Sequence, residues 1–370
     1  MTQRDLATGP FVLAILTALV LVLSAPFAGQ IRSAVRSALP GQYLLIVAGA
    51  AATALAVALA SAAWRIRERR VARYGVIAVG IVIAVGYSLS TASPSTERNA
   101  VERYHFLQYG LIAYLFYRAW RPLADESVLV LPLLAGLIMS AAEEWLQWFI
   151  PNRVGELDDV LLNLVAILCG LLFSLGVDPP PRLTLAVSPG NRPRVAAVAV
   201  AAVLALGLFF HIVHLGHVIT DPEIGSFSTR FSLGRLGQLQ DERAVRSATS
   251  PPSTTLVRLS REDQYLSEGM EHVRERNELW AAGNIRGAWL ENRILEKYYG
   301  PVLRTPSHEG TGHAWPDAQR ADAQGRVAAA VVEGAFVSAA YPYRIYDWSK
   351  SLFLSAMVLL AGAAWWFSKR

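Results

Sequence analysis

Two apolar runs, each long enough to cross a bilayer, are separated by the stretch EEWLQWFIPNRVGELDDVLLN at residues 143–163, and this charged insert limits the fold more than any other part of the chain. Five carboxylates and one arginine fall within it. A charged side chain at the centre of a membrane helix costs roughly 2.5–3.5 kcal/mol on insertion scales, so groups placed this close to lipid need partners or water. The stretch is therefore the default functional site.

Its spacing places the polar groups. Glu144 and Gln147, three apart, share one face of a helix end. Asp159, Asn163 and Ala166 stand at i, i+4 and i+7 on the next helix, with Gly170 one turn further. Pro151, Asn152 and Gly155 mark the turn between them, and Arg153 lies in that turn. Helices joined by about eight residues are expected to be antiparallel neighbours. That arrangement brings Arg153 near Glu144, Glu156 and Asp159 in a charge-assisted network at one membrane face.

The order Glu144, Gln147, Pro151, Arg153, Glu156, Asp159, Asn163, Gly170 resembles the signature of the VanZ-like family of bacterial membrane proteins, named for a teicoplanin-resistance determinant. His105, Phe106 and Tyr109 sit where that family has a histidine and a tyrosine at a helix entrance. Ala166 stands where the family usually has glycine, so a small residue is kept. The resemblance covers about residues 72–176. It implies an envelope membrane protein that affects sensitivity to glycopeptide antibiotics.

Composition agrees with a membrane location. Of 370 residues, 53% are hydrophobic and only 17% charged, which is far more apolar than a soluble domain of this length. The net charge of +5 lies in short loops beside apolar runs, with no basic stripe interleaved with aromatics, so nucleic acid is not an expected partner. The single cysteine, Cys169, lies in an apolar run and reads as a structural thiol, which excludes a disulfide framework.

Eight spans are expected, at about residues 11–27, 43–64, 74–89, 105–120, 127–150, 160–175, 195–214 and 351–367. The first resembles a signal peptide but is read as an uncleaved span. Thirteen arginines and lysines fall in one set of alternate short segments and five in the other, which predicts both termini in the cytoplasm. The 151–158 loop and residues 217–349 then face outward from a bacterial cytoplasmic membrane. The fourth span carries His105, Gln108, Tyr109, Tyr114 and Tyr117 and is expected inside the bundle, with His105 within reach of Glu144 and Asp159.

The predicted fold class is all-α: a polytopic helix bundle bearing a mostly α-helical extracytoplasmic domain. Its expected divisions are two N-terminal spans (1–71), a four-helix domain (72–176), a cytoplasmic linker (177–194), a span (195–216), the outer domain (217–349) and a last span (350–370). In the outer domain, residues 261–282 and 284–299 read as helices broken at Gly283. Tyr265, Met270, Val273 and Trp280 line one face, and Trp289, Leu290, Ile294 and Tyr298 the other. Residues 316–336 read as a third helix, and TTLVRL as a short strand.

Other constellations carry less. His211, His214 and His217 recur every third residue, but steps of three turn by about 300°, so only adjacent pairs share a face and an interfacial role is expected. The Glu143–Glu144 pair resembles CAAX-type intramembrane proteases without their following arginine, and SHEGTGH resembles one element of lipid phosphatases whose other elements are missing. Glu143 and Asp158 read as solvated. No metal or cofactor is expected.

The candidate binding network is therefore Glu144, Gln147, Arg153, Glu156, Asp159, Asn163, His105 and Tyr109. Expected partners are membrane lipids and a lipid-linked envelope molecule. Two alternatives are a scaffold bound to other membrane-complex subunits, and a lipid-modifying enzyme with Glu144 or Asp159 as base and His105 as acid.

Overall fold

In lipid, backbone N–H and C=O groups must be satisfied within the segment, so long apolar runs become helices. The computed structural model bears this out over the residues it describes, 7–39, 41–93, 96–148, 150, 155–249, 263–305, 312–328, 335–341 and 343–369. The chain divides into two units. A membrane unit comprises Met1–Gln147, Gly155–Phe209 and Leu354–Arg370, and a second unit Trp148–Val154 and Phe210–Phe353.

The membrane unit is built from α1 (Thr8–Ala38), α2 (Tyr43–Arg65), α3 (Arg70–Ser90), α4 (Thr96–Trp120), α5 (Ser127–Trp148), α6 (Leu157–Val177) and α7 (Arg192–Phe209). Among the described residues seven helices are long and apolar enough to cross a membrane, one fewer than the eight spans expected. The difference is α4, whose expected span, residues 105–120, is short and carries His105, Gln108, Arg118 and three tyrosines among its apolar residues. It is nonetheless central, because Tyr109, Ile112, Ala113, Phe116 and Tyr117 are buried between neighbours.

Small residues set the closest helix approaches. A Cβ on Gly170 of α6 would lie 2.7 Å from Gly110 Cα on α4, and one on Gly136 of α5 would lie 2.5 Å from Ile167 Cδ1. Ala166 is fully buried in the same core. Helix α1 joins it through Ala14 and Ala18, with Phe11 against Trp120 at 5.8 Å between rings.

The last carbonyls of α6 lack intrahelical partners, and cations fill that role. Arg73 Nε donates to Gly176 O at 2.7 Å and its Nη2 to Val177 O. Arg121 donates to the Asp178 and Pro179 carbonyls at 3.1 Å each and pairs with the Asp178 carboxylate at 2.8 Å. The proline-rich stretch that follows forms no helix before α7, as its sequence predicts. It is fastened by Asp125, which accepts from Ser127 N, Ser188 N and Asn191 Nδ2 at 2.8–2.9 Å. Burial pushes this carboxyl up, but those hydrogen bonds outweigh it and hold the group below the usual carboxylate range.

The second unit begins with a π-helical turn, Phe210–His214, and an antiparallel hairpin of β1 (His217–Asp221) and β2 (Gly225–Thr229), in register His217 to Thr229. Five helices follow: α8 (Leu233–Thr249), α9 (Asp263–Ala281), α10 (Ile285–Tyr298), α11 (Gly300–Leu303) and α12 (Asp317–Ala328). The last helix, α13 (Lys350–Phe367), starts here and is among the seven apolar ones. The α9–α10 break falls at Gly283, whose φ of +79° suits glycine, and Asn284 caps α10 by accepting from Gly287 N at 3.0 Å.

Tyr265, Val273, Leu290 and Ile294 form the core with Phe227 and Ile219 of the hairpin, while Met270, Trp289 and Tyr298 pack against it. Trp280 belongs instead to a second cluster, 5.3 Å from Trp315 between rings. The third expected helix is present over Asp317–Ala328, while residues 329–334 of its expected range and the strand expected at TTLVRL lie outside the described residues. The hairpin was not foreseen.

Glu268, 2% exposed, ties this unit together. It accepts from Thr229 Oγ1 (2.7 Å), Tyr299 OH (2.9 Å), Arg230 N (3.1 Å), Gln264 Nε2 (3.2 Å) and Tyr341 OH (3.2 Å). Burial, and then the Glu268 charge, push the Tyr299 and Tyr341 hydroxyls well above their ordinary range, so both stay donors. Nearby, His272 Nδ1 and Glu291 Oε2 join α9 to α10 at 2.6 Å, both buried.

Candidate functional site

The polar cluster of the membrane unit is assembled from α4, α5 and the start of α6. Ser140, Glu144 and Gln147 occupy i, i+4 and i+7 on α5, so one face carries all three, and all three are buried. Glu144 accepts from Gln147 Nε2 at 2.9 Å through one oxygen and from the backbone N–H of Glu156 at 3.1 Å through the other. Gly155 permits this approach, because a Cβ there would meet Glu144 O at 2.3 Å.

One residue earlier on α5, about 100° around the helix, Glu143 has a different partner. Its Oε2 accepts from Tyr109 OH at 2.5 Å, and the side chain is 9% exposed. The expectation that Glu143 is solvated is therefore corrected: a tyrosine from α4 takes it out of water. Ser140 was also missed, although its i, i+4, i+7 relation to Glu144 and Gln147 was present in the sequence.

His105 and Tyr109, one turn apart on α4, stack with rings 2° from parallel. His105 Nδ1 lies 2.7 Å from Asn163 Oδ1, and Asn163 Nδ2 donates to Ser140 Oγ at 2.9 Å. The hydrogen-bond partner of the imidazole is thus an amide on α6. Asp159 is half-buried and Asp158 exposed in the first turn of α6, where the helix dipole favours negative charge; Glu156 is half-buried just before it. Pro151, Asn152 and Arg153 lie outside the described residues.

The arrangement offers carboxylate and amide acceptors, hydroxyl donors and an imidazole, all held against apolar helices. Such a set suits recognition by hydrogen bonds. Among the described residues no group of histidines, cysteines and carboxylates is placed to hold a metal ion. The three recurring histidines diverge: His214 Nδ1 engages Arg344 O at 2.8 Å, His211 stacks on Phe353, and His217 lies in β1.

The VanZ/LLP1 family model matches residues 11–177. This segment is VanZ-like. The match starts well before residue 72, so the VanZ-like segment takes in α1 and α2 as well, in keeping with the packing of Ala14 and Ala18 against α4. It ends at the last residue of α6, and the candidate cluster falls wholly inside it. No curated protein and no solved structure matches the chain significantly.

Proposed function

We propose that the VanZ-like segment holds a lipid-linked or cell-wall-related molecule at its polar cluster, on the outward face of a bacterial cytoplasmic membrane, and that this lowers sensitivity to glycopeptide antibiotics such as teicoplanin. The observation that supports the reading most is the burial of two adjacent carboxylates, Glu143 and Glu144, in the last turns of a helix apolar enough to lie in lipid. Holding two helices together does not call for charge in such a place. In this reading Arg153 receives an anionic headgroup, Glu144 and Asp159 orient it, and Gln147, Asn163 and His105 supply hydrogen bonds.

The test compares teicoplanin sensitivity and co-purifying lipid for Arg153→Ala, Glu144→Gln and Asp159→Asn at matched expression. Each variant is expected to lose protection and bound lipid together; wild-type behaviour in all three removes the reading. The scaffold alternative drew on the aromatic content of the second unit, and Trp280, Trp289 and Trp315 pack within that unit. The enzyme alternative needed a carboxylate beside His105, where Asn163 stands.

A further inference from the structure

The second unit carries an open cavity of about 450 Å³, lined in part by His217, Arg230, Arg235, Asp347, Trp348 and Lys350. Its size falls in the ~300–1,000 Å³ range of small-molecule sites. Chain connection puts it at a membrane surface. His217 lies three residues beyond the apolar segment Arg192–His214, and Lys350 opens the apolar helix Lys350–Phe367.

The cations lining it have donors to spare. Arg230 Nη1 donates to His211 O at 3.1 Å and Leu215 O at 2.5 Å, which fixes the guanidinium. Its Nε and Nη2 have no hydrogen-bond partner among the described residues. Arg235 uses Nη1 alone, for Gln238 at 3.2 Å and Glu242 at 2.9 Å. Lys350 has no ion pair or hydrogen bond from its ammonium among the described residues. The lining carboxylate, Asp347, lies 3.9 Å from His217 Nδ1. Trp348, 53% exposed, stacks on Phe210 at 5.2 Å and packs at a tilt against Tyr346 at 5.2 Å, a rigid aromatic edge of the kind found at lipid–water boundaries.

We infer that this cavity binds a phosphate group, which two arginine forks and a lysine are suited to receive. The expected source is the headgroup of an anionic phospholipid, since the cavity sits where two apolar segments meet water; free phosphate is the other source of the same chemistry. The site shares no residue with the cluster on α4, α5 and α6 and does not depend on its function.

The experiment titrates full-length protein in neutral detergent with dioctanoyl phosphatidylglycerol, dioctanoyl phosphatidylcholine and inorganic phosphate, by calorimetry. Saturable phosphatidylglycerol binding is expected, weakened at least ~tenfold in the Arg235→Gln/Lys350→Gln double variant and unchanged in Lys369→Gln. Both altered side chains are exposed, and Lys350→Gln alone, the milder change, should shift affinity the same way. Phosphatidylglycerol binding well above inorganic phosphate assigns the site to lipid, and equal affinities assign it to the free anion. No saturable binding of either, equal affinity in wild type and double variant, or phosphatidylcholine binding as tightly as phosphatidylglycerol overturns the proposal.

Discussion

Glu268 in the second unit and Glu144 in the membrane unit are both buried glutamates, and they are held in different ways. Glu268 collects donors from β2, from its own helix and from the chain after α10 and α12, so several separate segments converge on one carboxylate. Glu144 receives Gln147 from its own helix and the backbone of Glu156, just before α6. A carboxylate on which distant segments converge is a fastening. One served by its own helix and by the backbone just before the next fixes local geometry.

The largest effect should come from breaking the fastening. Glu268→Ala leaves the hydroxyls of Thr229, Tyr299 and Tyr341 without their acceptor, a loss on the order of 3–5 kcal/mol. Limited proteolysis should then cut the second unit readily, while Glu268→Gln, which keeps a carbonyl oxygen, should resist far better. Equal resistance of Glu268→Ala and wild type would show that the converging bonds contribute little.

Next comes the frame that carries Glu144. Gly170→Val would drive a branched side chain into Gly110 Cα, and overpacking of this kind costs about 1–3 kcal/mol or more. A lower unfolding temperature in detergent is the expected readout.

A smaller effect concerns pH. Burial raises the Asp221 pKa, but hydrogen bonds from Lys297 at 2.5 Å, Tyr298 at 2.6 Å and the Glu223 N–H overcome it and lower the group from 3.8 to about 2. Because the folded value is depressed, this stabilisation is complete above pH ~4 and is lost as pH falls toward 2. Unfolding temperatures at pH 4, 3 and 2 should fall less steeply in Asp221→Asn than in wild type.

The smallest effect on stability is expected at Glu144 itself. In Glu144→Gln the amide oxygen still accepts from the Glu156 N–H, and the new NH2 donates to Gln147 Oε1 once that amide turns over, so both bonds are kept and stability should change by less than ~1 kcal/mol. A large loss of stability would place Glu144 with Glu268 as a fastening and sharpen the comparison against a binding role.

Much of the membrane unit was legible in the sequence because lipid enforces a simple rule: apolar runs become helices, and charges among them stand out. Glu144, Gln147 and Asn163 were found from helical spacing alone, which decides faces without knowing neighbours. Glu143 was misread for the complementary reason, since the group that buries it, Tyr109, is on another helix and no local pattern joins the two. The place of α1 in the VanZ-like bundle was hidden in the same way, because small alanines against α4 leave no mark in a hydropathy pattern. The hairpin escaped because its strands, HVITD and GSFST, are only five residues each and their buried faces mix polar with apolar side chains, Ile219 with Asp221 and Phe227 with Thr229.

The grip on the end of α6 has a mechanical consequence. With Arg73 and Arg121 holding the carbonyls of Gly176 through Pro179, sliding that helix along its own axis means pulling two guanidinium groups off the backbone at once. Piston-like travel is therefore the costly mode of motion, and a rocking pivot about the Gly110–Gly170 crossing is the softer one.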